Sequence, residues 1–149
     1  MSVGGLLMNI LVIAVIPAFA EEFFFRGFLM GTLQRIMGKH ASVWVSAAIF
    51  SAVHFQFYGF FSRLVLGAIL GYLVVFSRSL WTSMLAHFLN NFLMLMVAFF
   101  MLSGDIGNGT DPFEPAPMGW LAATASLTIT CILFYFFRRN QTHPKIINE

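Results

Sequence analysis

Ala20-Glu21-Glu22-Phe23-Phe24-Phe25-Arg26 sets two adjacent carboxylates and a guanidinium inside a long apolar run. On an α-helix Glu22 and Arg26, four residues apart, share a face, and Glu21 lies within about a third of a turn of it. A charge at the bilayer centre costs roughly 2.5–3.5 kcal/mol on insertion scales, so an intramembrane charge reads by default as a functional site with buried partners. His54, His87 and Asn91 are the candidate partners, each also stranded in apolar sequence.

The rest of the chain says what surrounds that run. Of 149 residues, 59% are hydrophobic and only 9% charged, against about 25% charged in a soluble domain. So few charges cannot cover a soluble surface. The expected fold is therefore an all-α polytopic bundle in the cell membrane, because the apolar stretches are too long for barrel strands. The net charge of +2 comes without a basic patch, so nucleic acid is not an expected partner. The single Cys131 lies in an apolar run, allows no intrachain disulfide or cysteine metal site, and reads as a small packing residue.

Five spans are expected. Met1 to about Gly31 is the first, with Pro17 one turn before Glu21 and able to kink it. Gly27 to Gly38 turns amphipathic, as if leaving the hydrocarbon for the interface. Ala41 to about Tyr58 is the second, with Ser42 as N-cap. Gly59 and Ser62-Arg63 mark a turn. Phe61 to Phe76 is the third, and its Gly67 and Gly71 form a small-xxx-small spacing for close helix approach. Leu80 to Leu102 is the fourth, Ser103 to Pro117 a loop, and Met118 to Phe137 the fifth. A polar tail occupies 138–149. The chain is expected to be a single domain, residues 1–149. Trp44, Trp81 and Trp120 fall near span ends, as interfacial aromatics do.

With five spans, Arg35, Lys39, Arg78, Arg138, Arg139 and Lys145 collect on the side of the C-terminus, which the positive-inside rule makes cytoplasmic. Arg63 falls on the other side with Asp105, Asp111 and Glu114. The N-terminus would then lie outside with no charge before the first span, which suggests that upstream spans are missing or that the first helix relies on a partner.

Three clusters carry the chemistry: Glu21-Glu22-x-x-x-Arg26, Phe50-x-x-x-His54 on one helical face, and His87-x-x-x-Asn91 on another. Polar groups on membrane helices face the bundle interior or a watery cavity, so one shared pocket is the economical arrangement. Counting helix rise from the C-terminal side puts His87 roughly 10 Å deep, His54 roughly 20 Å and Glu21 roughly 25 Å, so their meeting requires tilt. In such a pocket a glutamate near His54 suits a general base acting on water. Arg26 can hold Glu22 ionised and leave Glu21 free. His87 and Asn91 suit an oxyanion. The same glutamate and histidines also suit zinc, although the His-Glu-x-x-His motif is absent.

These three motifs, in this order in a hydrophobic chain, resemble the CPBP family: the CAAX prenyl proteases and the bacteriocin-processing or immunity-associated membrane proteins. The resemblance covers about residues 17–100, and typical members carry additional spans before the glutamate pair. It implies an intramembrane endopeptidase in which Glu21 is the base, His54 holds the water, and His87 and Asn91 form the oxyanion side. Glu22 and Arg26 are then supporting residues. The expected partners are the bilayer and a hydrophobic or lipidated peptide, and a homo-oligomer is compatible. No cofactor is favoured. The alternatives are a zinc-dependent form using Glu21, His54 and His87, and a non-catalytic membrane immunity or adaptor protein that binds a peptide without cutting it.

Overall fold

The structure, a computed structural model, describes residues 3–104. It holds four helices: α1 (residues 3–37), α2 (Lys39–Ala52), α3 (Phe60–Ser77) and α4 (Leu80–Gly104). No strand occurs among the described residues. Among the described residues three helical stretches are long and apolar enough to cross a membrane, Gly4–Met37, Phe60–Ser77 and Leu80–Phe100. The expected loop after Gly104, the fifth span and the polar tail lie outside the described residues.

α1 is continuous but not regular. π-helical turns at Ile10–Val15 and Phe23–Leu29 bracket the α-helical segment Ile16–Glu22, which carries Pro17 in its first turn and both glutamates at its end. Such turns cluster at functional sites because they rotate the side chains that follow. The helix runs through the amphipathic stretch to Met37 and stops at Gly38, whose φ of 79° favours glycine. α2 begins one residue later.

The second span is shorter than expected. α2 has 14 residues, about 21 Å of helix against roughly 30 Å of hydrocarbon. The chain leaves it after Ala52 and turns through Phe55, with φ of 51°. The residues taken for its last turn, Phe55, Phe57 and Tyr58, are almost wholly exposed at 94%, 86% and 102%. Ser42 is not the N-cap. It lies inside α2, where its hydroxyl donates to the Lys39 carbonyl at 2.8 Å, and Gly38 takes the cap position. Ser62 and Arg63 likewise belong to the first turn of α3 rather than to the turn before it.

The glycine spacing of α3 does bring helices together. A Cβ on Gly67 would sit 3.1 Å from Ala47 Cβ, and one on Gly71 would sit 3.0 Å from Val43 Cγ1. α2 and α3 thus pack backbone to backbone around Met30, Val43, Ala47 and Ala68. Leu70, Leu73 and Ala86 join α3 to α4. Short links make successive helices antiparallel, so the start of α1, the end of α2, the start of α3 and the end of α4 face the same way. Phe23, Trp44 and Trp81 remain exposed on the outer surface.

Candidate active site

α1 and α4 meet at matching heights. A Cβ on Gly27 would touch Leu80 at 3.5 Å, so α4 starts level with Gly27 and the last ten residues of α1 run past it. From that level Glu21 is about 9 Å up α1 and His87 about 10 Å up α4. The difference in depth expected from counting disappears, because part of α1 lies below the start of α4.

Glu22 sits in a closed polar layer and is wholly buried. Arg26 Nη1 donates to its Oε1 at 2.6 Å. His87 Nδ1 meets the same oxygen at 2.8 Å, and Ser83 Oγ donates to Oε2. Arg26 Nη2 donates to the Gly67 carbonyl at 3.1 Å, and its guanidinium lies 4.6 Å from the centre of the Phe50 ring. Gly67 therefore serves twice: it admits α2, and it leaves its carbonyl open to Arg26. Ser46 Oγ donates to the Phe25 carbonyl at 3.0 Å, supporting the π-helical turn that follows the glutamates. A buried ion pair of this kind is tolerated only when its remaining hydrogen-bonding positions are filled.

Glu21 faces elsewhere. Its side chain keeps 29% of its exposure and lies 3.8 Å from His87 Nε2. It lines a cavity of about 520 Å³ together with His54, Phe50, His87, Asn90, Asn91 and Arg63. That volume is within the range of ligand pockets. Ile13, Pro17, Leu66, Met94, Leu95 and Ala98 give the cavity its apolar wall.

His54 is on the turn after α2, not on the helical face expected for it. Its Nδ1 lies 2.8 Å from the Phe50 carbonyl. A carbonyl only accepts, so Nδ1 carries the proton and Nε2 presents a lone pair. His87 likewise turns Nδ1 toward an oxygen, Oε1 of Glu22 at 2.8 Å, and leaves Nε2 toward Glu21. Asn91 is partly engaged. Pro17 has no N–H to offer the Ile13 carbonyl four residues back, and Asn91 Nδ2 donates to that oxygen at 3.4 Å. Its second N–H is left over, and Asn90 Nδ2 donates to Asn91 Oδ1 at 3.3 Å.

The structure thus brings Glu21, His54, His87 and Asn91 to one cavity and places Glu22 and Arg26 behind it. Among the described residues no three His, Cys, Asp or Glu side chains converge as a metal site needs. Sequence reasoning missed Ser83, although Ser83, His87 and Asn91 recur every four residues on one face of α4. It also read Arg63 as a turn residue and a charge on the far side of the membrane, not as part of the cavity.

The family model for the type II CAAX prenyl endopeptidase Rce1-like family matches residues 3–93 of the chain. Neither a curated protein nor a solved structure matches it.

Proposed function

The chain belongs to the Rce1-like family of type II CAAX prenyl endopeptidases, and on that premise we propose that it cleaves a hydrophobic or prenylated peptide with a water activated by Glu21. It is a multi-pass membrane protein of an intramembrane endopeptidase family. The observation that carries the finer reading is the division between the two glutamates. Both oxygens of Glu22 are engaged by Arg26, His87 and Ser83, whereas Glu21 lines the cavity partly exposed.

A water between Glu21 and His54 donates one hydrogen to the carboxylate and the other to His54 Nε2. Its oxygen lone pair then attacks the peptide carbonyl while Glu21 takes the proton. The oxyanion accepts from the free N–H of Asn91 and from His87 Nε2. His87 serves this role with both ring nitrogens carrying hydrogen, Nδ1 toward Glu22 and Nε2 toward the oxyanion. Glu21 finally passes its proton to the departing amine. The peptide enters from the bilayer, along the apolar wall.

The test is cleavage of a panel of farnesylated and hydrophobic peptides by the purified protein, with and without chelator. Undiminished cleavage in chelator is the expected result. Loss in chelator with recovery on adding zinc would promote the zinc-dependent alternative, and saturable peptide binding without cleavage the adaptor.

A further inference from the structure

Arg63 is a cation in the cavity wall that the reaction does not use. Its guanidinium is fixed from one side: Nη1 donates to Gln56 Oε1 at 3.0 Å and Nη2 to the Gln56 carbonyl at 2.5 Å. Nε is buried without a hydrogen-bond partner. Gly59 makes this position available, since a Cβ there would collide with the guanidinium. Among the described residues no carboxylate pairs with Arg63. A half-buried positive charge held by two hydrogen bonds in the wall of a peptide-sized cavity is suited to an anion.

Its height fits one anion in particular. The Gly67 carbonyl marks the Arg26 level. From there α3 rises about 6 Å to Arg63, and the guanidinium folds back a further turn over Gly59, roughly 12 Å in all. Glu21 lies only about 7.5 Å above Arg26 on α1. The guanidinium therefore stands above the carboxylate in the lining of the same cavity. A CAAX tail cut after its cysteine carries its free C-terminal carboxylate three residues beyond the scissile bond, a reach of about 10 Å.

We propose that Arg63 anchors the free C-terminal carboxylate of the peptide, and so sets the register in which the bond three residues upstream meets Glu21. The proposal rests on the proteolytic reading for its substrate, and on Arg63, its Gln56 support and the shared cavity for its geometry. Gln56 holds the guanidinium, and the outward N–H groups of Nη1 and Nη2 meet the carboxylate.

The experiment compares a farnesylated CAAX peptide as free acid and as C-terminal amide. Cleavage is measured with the full chain in lipid nanodiscs, and equilibrium binding with Glu21→Gln. The amide is expected to raise KM about tenfold or more with little change in kcat, the size of losing one charge-assisted pair. Arg63→Gln is expected to treat acid and amide alike, and Arg63→Lys to keep a preference for the acid. The within-variant acid-to-amide ratio is insensitive to any general loss of folding.

Equal handling of acid and amide by the wild type, or full acid preference in Arg63→Gln, would overturn the anchor and leave proteolysis standing. Loss of the preference in the lysine variant as well would overturn it in favour of a clamp on the Gln56 turn. Acid-selective binding that depends on Arg63, without cleavage, would uphold the anchor and defeat the protease reading.

Discussion

Glu21 and Glu22 are neighbours in sequence and opposites in surroundings. A single helical step turns the side chain by about 100°, enough to put Glu22 in a sealed layer and Glu21 on an open wall. In the sealed layer the partners are fixed, and the structure uses charge to join α1, α3 and α4. In the cavity the corresponding groups keep free valences: a lone pair on His54, an N–H on Asn91, a carboxylate on Glu21. Two members of one sequence motif therefore stand in different surroundings, Glu22 sealed among fixed partners and Glu21 open to the cavity.

The sharpest way to break that division is Arg26→Met. It leaves Glu22 buried without its guanidinium, and removing one partner of a buried pair costs about 3–5 kcal/mol. The expected readout is a large drop in the thermal unfolding midpoint in detergent. A variant with the wild-type midpoint would show that the sealed layer does not hold the helices together.

Ser83→Ala is the milder test on the same side. It removes one donor from Glu22 and is expected to cost about 1–3 kcal/mol, with cleavage lowered less than the midpoint shift would suggest for a reacting group. Abolished cleavage at an unchanged midpoint would instead make the layer part of the chemistry.

Much of this was legible in the sequence. The i, i+4 spacings of Glu22 with Arg26 and of His87 with Asn91 gave shared faces, and Gly67 and Gly71 gave the close approach of α2 and α3. Composition gave the membrane bundle. The end of α2 was not legible, because Phe55, Phe57 and Tyr58 look as apolar as a helix turn on a hydropathy count, yet they form an exposed aromatic turn. His54 was thereby placed on a helix it does not belong to. Depth failed for a similar reason: rise per residue is fixed, but the level at which α4 starts beside α1 is set by the contact of Leu80 with Gly27. The engagement of Asn91 with the Ile13 carbonyl combines two sequence features, Pro17 and Asn91, that only tertiary structure makes adjacent.

The most direct test compares purified Glu21→Gln and Glu22→Gln, each measured for cleavage of a farnesylated peptide and for its unfolding midpoint. Glu21→Gln is expected to unfold like the wild type and to cleave about 10²–10⁴-fold more slowly, the usual contribution of a general base. Glu22→Gln is expected to unfold at a lower temperature. Wild-type turnover by Glu21→Gln, or abolished turnover at an unchanged midpoint in Glu22→Gln, would contradict the assignment.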